Sequence, residues 1–425
     1  MASKVTRDQD LPAGSVTRAD LAVWDEEFAA LCARMDPLFP RPKSRGHARQ
    51  YLRGLLAPLK RKNGWTIAEH VGEKEPKALQ RFLNLTPWDA DALRDLVVAY
   101  AMERFADPQS VLIADPTGFA KKGLKSAGVQ RQYSGTLGRT DNCQIGTFLA
   151  YVNPAGSRIL LDRELYIPEH SWFADRDRCT EAGIPAEVVF RTRPQQVKAM
   201  IERALKAGVP FAWFTADEEF GQNPGLRDWL QEQRIAYVMG IPKNTKFTTA
   251  DGDCVVIEKA AEKLRPSAWQ RRACGIGAKG FRVYDWALLE SDDPEHPFLI
   301  RRSLDDGKLA YYHCFNPRRE GFGSLVRVAG SRWPVEECFE AAKQEAGLDN
   351  YQVRKYDAWY RHITLAMLAL AFLAAMAAIS QKGARALWTT SGPRKDEQPG
   401  PGRVGRKHDR APATLDATPR GAHPG

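Results

Sequence analysis

Hydrophobic residues along this chain recur at two spacings, and the switch between them marks its main division. From residue 17 to residue 105 the spacing is helical. Leu21, Trp24, Phe28 and Leu31 fall three or four apart, the period of a helix with one buried stripe. Tyr51, Leu52, Leu55, Leu56 and Leu59 repeat the pattern, and Thr66–Phe82 and Ala90–Phe105 extend it into a bundle with a helix-turn-helix-like order. No helix in it can be singled out as the one that reads DNA. From residue 108 short apolar runs take over. Val111–Asp115, Gln144–Val152 and Arg158–Ile167 read as strands, and the Asn153-Pro154-Ala155-Gly156 turn makes the last two a hairpin. Then Pro194–Ala207 (a helix with Pro in its first turn and Gly208 after its end), the strand Phe211–Asp217, the helix Asn223–Gln233 and the strand Ile235–Ile241 alternate.

Three strands joined in sequence and then two crossover units predict an α/β fold, a mixed five-stranded sheet with helices on its faces. The first strand should lie centrally, beside the fourth. Residues 243–326 break the alternation. Asp253–Ile257, Gly280–Ala287, Phe298–Ser303 and Lys308–Phe315 read as short strands of a β-rich insertion. Helices return at Pro334–Ala346, closed by Gly347, and at Trp359–Gln381. The expected division is therefore 1–105 helical, 106–242 first part of the α/β core, 243–326 insertion, 327–380 closing helices of the core, and 381–425 a disordered tail. In that tail thirteen of forty-five residues are Gly or Pro and no hydrophobic period survives.

Composition narrows the class. The chain has 425 residues and a net charge of +10, which favours an anionic partner, most commonly nucleic acid. Its seven cysteines include no closely spaced pair, which argues against a disulfide framework or a zinc ribbon and fits a reducing cytosol. The N-terminus lacks the apolar stretch of a signal peptide. Ile363–Ile379 has one polar residue, Thr364, but seven alanines, and is short for a span of ~20 residues. It reads as a helix buried in protein. Basic residues concentrate in two places. Arg49, Arg53, Lys60, Arg61 and Lys62 lie in a stretch with a single acid, Asp36, and suit phosphate contact or a plain solvated face. Lys121, Lys122, Lys125, Arg131 and Arg139 lie in a glycine-rich segment that suits a phosphodiester backbone or a surface loop.

The candidate chemistry is carboxylate chemistry. Asp115 and Asp217 each follow an apolar strand, and the predicted order sets those strands side by side. Acids leaving apolar strands need partners, and hard divalent cations are one solution. A third acid should come from a helix. In RWPVEECFEAAK, Val335, Cys338, Phe339 and Ala342 share a face, and Glu336 borders it. Glu337 and Glu340 remain alternatives by pattern alone. Trp172, beside His170, reads as a loop-core residue rather than a base-stacking platform, and His362 as structural rather than a metal ligand.

Three segments, LIADPTGFAKKG, WFTADEEFGQN and RWPVEECFEAAKQEAGLDNYQVR, resemble the bacterial insertion-sequence transposases of the DDE superfamily. The likeness runs from about Leu112 to Phe372. The last segment is similar to the Arg-x3-Glu part of the Tyr-Arg-Glu-Lys signature, with Arg332 as the arginine, Glu336 as the glutamate and Lys343 as the lysine. The tyrosine would fall at Ala329. The resemblance implies an RNase H-like core in which Asp115, Asp217 and Glu336 are catalytic and bind two Mg²⁺ ions, with Mn²⁺ able to substitute. Arg332 and Lys343 would contact backbone phosphate. Implied partners are double-stranded DNA, as element ends and target, and a second copy of the chain on DNA, within the bacterial cytoplasm. Two competing readings keep the fold: a catalytically inactive DNA-binding regulator, and an RNase H-like nuclease without strand transfer. The composition of the tail suggests out-of-frame translation of GC-rich DNA, which would mean a C-terminus lost by frameshift.

Overall fold

A computed structural model of the protein describes residues 17–277 and 280–390. Five helices come first: α1 Arg18–Met35, α2 Pro42–Leu56, α3 Gly64–His70, α4 Lys77–Asn84 and α5 Ala90–Phe105. Their starts are encoded locally. Thr17 and Asp20 form a reciprocal capping box at α1, Asn63 accepts from the amides of Trp65 and Thr66 at α3, and Asp89 caps α5. The predicted stripe of α2 is buried at Tyr51, Leu52 and Leu55, while Leu56 and Leu59 are only half-buried. Gly54 lets α3 come close, because a Cβ there would sit 2.4 Å from an Ile67 methyl.

The core follows with strands β1 Val111–Ala120, β2 Gln130–Ser134, β3 Arg139–Val152 and β4 Arg158–Tyr166, then α6 Arg176–Ala182 and α7 Arg193–Lys206. Next come β5 Trp213–Ala216, α8 Glu218–Gly221, α9 Pro224–Glu232 and β6 Ala236–Ile241. The sheet order through these is β4 or β2 on the outside, then β3, β1, β5 and β6. β1 is central and β5 is its parallel neighbour, as the alternation predicted. The β3–β4 hairpin turns at Gly156, whose φ of +88° suits glycine. Not foreseen were β2, the short helices α6 and α8, and the extension of β1 past Asp115 to Ala120.

The insertion holds β7 Lys246–Thr248, β8 Cys254–Val256, α10 Ile257–Glu262, β9 Gln270–Gly277, β10 Gly280–Leu289, β11 Phe298–Arg302 and β12 Leu309–Phe315. It is β-rich, as expected, but most of it continues the main sheet. β12 pairs antiparallel with β6, Tyr311 opposite Ile241, and β11, β10 and β9 follow in turn. Helix α11 Phe322–Gly330 crosses the expected boundary at 326, because its apolar face (Leu325, Val326, Val328) packs against the sheet. Two helices close the fold, α12 Trp333–Gln344 and α13 Tyr356–Thr390.

The expected tail from 381 is therefore helical for its first ten residues. Residues 391–425, with the frameshift reading, lie outside the described residues, as do the first sixteen. The segment Tyr356–Ser380 has a mean hydropathy of 2.3, apolar enough for a span, yet most of it is buried inside the protein. His362 within it donates from Nε2 to the Gly347 carbonyl (3.0 Å), and its Nδ1 accepts from the Tyr51 hydroxyl (2.8 Å), which is the structural role expected. Trp172 is wholly buried, its indole N–H donating to the Val129 carbonyl, as the loop-core reading required.

Candidate active site

Asp115 sits where β1 loses its parallel neighbour. Ala114 pairs with Ala216, the last residue of β5, while β1 continues along β3 with Asp115 opposite Phe148. What the sequence showed as a strand end is thus the end of the partner strand. Pro116, which has no N–H to give, follows at the point where the β5 side falls vacant. Asp217 follows Ala216 and turns the chain into α8, its Oδ1 accepting from the Glu219 amide (3.0 Å). The turn depends on close packing. A Cβ on Gly221 would lie 1.9 Å from the Gly240 carbonyl, and one on Gly240 would lie 3.0 Å from the Glu218 nitrogen.

Helix α12 brings the third acid. Val335, Cys338, Phe339 and Ala342 are its buried face, as the spacing predicted. Glu336 lines the same cleft as Asp115 and Asp217, a space of about 760 Å³. Glu340 borders that cleft too, taking a hydrogen bond from Gln344 (3.1 Å). Glu337 is engaged elsewhere, in ion pairs with Arg158 and, at 3.0 Å, Arg282, which tie α12 to β4 and β10.

Electrostatically the cleft has an excess of negative charge. The Asp115 side chain is only 13% exposed, and burial pushes its carboxyl up to about 7; Asp217, Glu336 and Glu219 push the same way, and Arg332 opposes them. The Arg332 guanidinium lies between two of the acids, 3.8 Å from Asp115 and 3.3 Å from Glu336. Among the described residues no three His, Cys, Asp or Glu side chains stand close enough to grip one ion. The donor set nevertheless suits hard divalent cations. All these donors are carboxylate oxygens, and the cation that lies between Asp115 and Glu336 is the Arg332 guanidinium.

Glu219 and Thr117 are among the residues of this cleft that escaped the sequence reading. Glu219 is held by Arg193 at 2.6 Å, and burial raises its carboxyl above the usual range. Thr117 accepts from the Lys343 ammonium at 2.8 Å. Burial lowers the Lys343 ammonium below the ordinary lysine value. The signal for Glu219 was present in the triplet Asp217-Glu218-Glu219, but only the helical turn shows which of its glutamates enters the cleft.

The predicted basic residues divide. Arg61, Lys121, Lys122 and Lys125 line a second groove of about 1020 Å³, with Arg354 and Lys355, which pattern reading had missed. Lys121 stacks 3.4 Å from the Tyr351 ring centroid, and burial lowers it to about 7. Lys125 is paired with Glu181 and Arg139 with Asp141, while Arg131 stands exposed on β2. Arg49 pairs with Asp36, Arg53 lies over Phe28, and Lys60 is exposed. Lys62 is a correction. It is 3% exposed, donates to the carbonyls of Leu55 and Glu345, and is a strut between α2 and α12 that cannot reach DNA.

Known proteins bear on this geometry. Residues 34–279, more than half of the chain, match the family described as DDE superfamily endonuclease. A protein of Microchaete diplosiphon named a probable transposase for insertion sequence element IS701 is 32% identical over 215 residues, 50% of this chain and 53% of that protein. The chain thus spans about half the length of that curated relative. Among solved structures, a piggyBac transposase synaptic complex with hairpin DNA is similar over 91% of this chain and 74% of that one, at 10% identity and a TM-score of 0.43. At that score the likeness does not establish a common fold.

Proposed function

Because the chain belongs to the DDE superfamily endonucleases, we propose that it is a DNA transposase that cuts the ends of an insertion sequence and joins them to target DNA. The observation that carries this reading is the cleft in which Asp115, Asp217 and Glu336 arrive from two adjacent strands and one helix. We read the order β4-β3-β1-β5-β6 as an RNase H-like core with a β-rich insertion before the last catalytic helix.

The three acids would hold divalent ions, Mg²⁺ or Mn²⁺, and a bound pair would supply activation of the attacking oxygen and stabilisation of the leaving one. The chain's own groups do the rest. Arg332 and Lys343 give the reacting phosphate a guanidinium and an ammonium to lie against, Lys343 being aimed by Thr117. Arg193 fixes Glu219 at the rim of the cleft. The groove bearing Arg61, Lys121, Lys122, Arg354 and Lys355 shares Asp349 with the catalytic cleft, so one duplex can run along both. The reaction is attack of water on a phosphodiester at the element's end, breaking the bond to the 3′ oxygen and leaving a 3′-OH. That 3′-OH then attacks a target phosphodiester, forming a new P–O bond as the target's own P–O3′ bond breaks and its 3′ oxygen leaves as a 3′-OH. The working form is a pair of chains on DNA in the cytoplasm.

The test uses labelled duplexes carrying the DNA that flanks the gene, with and without Mg²⁺, for the wild type and Asp115→Ala. The expected result is Mg²⁺-dependent cutting, then joining of a 3′-OH donor to a plasmid, with both lost in the variant. Cutting without metal, or equal cutting by the variant, overturns the reading. Sequence-specific binding without cutting identifies a regulator instead, and cutting without joining a nuclease.

A further inference from the structure

The helical bundle contains a face that the catalytic cleft does not use. Helices α3 and α4 are joined by Val71–Pro76, with Gly72 at φ +79°, and both pack on α2. Leu79, Phe82 and Leu83 bury one side of α4, where Phe82 stacks on Trp88 at 5.3 Å. The opposite side presents Lys77, Gln80, Arg81 and Asn84, at i, i+3, i+4 and i+7; the first three are exposed and Asn84 is half-buried.

The chemistry of that face is specific. Gln and Asn amides match the N6 and N7 edge of adenine, and a guanidinium matches O6 and N7 of guanine. Among the described residues Gln80 has no side-chain hydrogen-bond partner, and neither Lys77 nor Arg81 has an ion-pair partner. The Asn84 amide rests on the Gln80 carbonyl of its own helix (2.8 Å), an exposed contact that is readily exchanged.

Basic ground lies on both flanks of α4. On one side a groove of about 900 Å³ is bordered by Arg41, Lys43, Lys74, Lys77 and Arg81, against Glu73 and Glu75. On the other is the groove of Arg61, Lys121 and Lys122, of which Gln80 and Asn84 form a wall. A helix with base-reading side chains on its crest and cations along both sides has the layout of an element set in a major groove between two phosphate backbones. The helix is also fixed to the catalytic core. Buried Arg361 of α13 donates to the carbonyls of Leu83 (2.9 Å) and Trp88 (3.3 Å), at the C-terminal end of α4.

We propose that α4 is the recognition helix of this protein: Gln80, Arg81 and Asn84 read base edges in the major groove of duplex DNA, and the cations of the two flanking grooves grip its two backbones. The proposal rests on the transposase reading and adds where the element's end is read. Because Arg361 ties α4 to α13 and the second groove meets the catalytic cleft at Asp349, the sequence read and the bond cut belong to one continuous stretch of duplex.

The experiment measures binding of the full chain to fluorescent duplexes by competition anisotropy. One duplex carries the DNA flanking the gene, a second the same bases scrambled, and a third is the RNA version of the first. Wild type, Gln80→Ala/Asn84→Ala and Lys77→Ala are compared, with thermal melts to show that each is folded. The expected result is a wild-type preference for the flanking duplex that falls about tenfold or more in the double variant, with affinity for the scrambled duplex retained. Lys77→Ala should weaken both duplexes alike and reduce the slope of log affinity against log salt by about one. A double variant that keeps the wild-type preference overturns the assignment of α4, and so does equal preference for the RNA. In those cases Mg²⁺-dependent cutting by the wild type still upholds the transposase reading. A wild type with neither preference nor cutting removes both.

Discussion

An aspartate with 13% of its side chain exposed and three other carboxylates near it keeps its proton up to about pH 7. The consequence for Asp115 can be worked out in sign. Its folded value lies above the unfolded value near 3.9, so between about pH 4 and pH 7 the folded state binds the extra proton. Stability therefore falls as pH rises through that window, and the penalty is complete above it. Asp115→Asn removes the penalty. It is expected to melt higher than the wild type at pH 8, with the gap closing as pH falls toward 4. Added Mg²⁺ should raise the wild-type melting temperature at pH 8 and leave the Asn variant almost unmoved. An Asn variant that melts below the wild type at pH 8 would show that the carboxylate is held by favourable partners instead. Asp115 was legible from the sequence because an apolar run ending in an acid is a local pattern. Glu219 was not, because its role depends on a turn made by the residue two before it and on an arginine from α7.

Secondary-structure elements carry the geometry that individual residues express. Helix α8 reaches the edge of β5 and β6 only because Gly221 and Gly240 have no side chains, the Gly221 position lying 1.9 Å from the Gly240 oxygen. Gly221→Ala must lift α8 from β6, at about 1–3 kcal/mol of stability by the usual cost of overpacking. It should also displace Asp217, so cutting should fall more steeply than the fraction folded, as gel assays at a temperature well below the melt would show. Cutting that falls only in step with the folded fraction would mean that α8 does not position the acid. The face of α12 was legible from its helical period, and so were β1, β3, β4, β5 and β6 from their apolar runs. The joining of the insertion to the main sheet was not. The Tyr311–Ile241 pairing is set by long-range register, which no local pattern states. Nor could the recognition role proposed for α4 be suggested by pattern, since Lys77, Gln80, Arg81 and Asn84 look like any solvated helix face without the flanking grooves.

At the scale of the whole molecule, the helical bundle is joined to the closing helices α12 and α13 through buried polar contacts. Tyr51 meets His362, Lys62 reaches α12, and Arg361 holds α4. Burial lowers His362 to about 4 and His313 to about 3. Both stay neutral in the folded state while the unfolded chain protonates them below about 6.5. The histidines' contribution to stability should thus drop as pH falls from about 6.5 toward 4, by roughly 1.4 kcal/mol per unit for each, outweighing the opposite contribution of the single Asp115. Denaturant melts at pH 7 and pH 5 should show it, and His362→Gln should reduce the slope by one histidine's share. An unchanged slope would mean that His362 is charged in the fold.

The claim on which all of this rests is that one cleft, lined by acids from β1, β5 and α12, binds the divalent ions that act on DNA. Calorimetric titration of Mn²⁺ into the full chain at pH 8 tests it most directly. Asp115→Asn, Asp217→Asn and Glu336→Gln should each weaken binding by about tenfold or more. Glu337→Gln, which alters a neighbouring carboxylate paired with Arg158 and Arg282, should bind as the wild type does. Mn²⁺ held equally tightly by all three cleft variants would contradict the account.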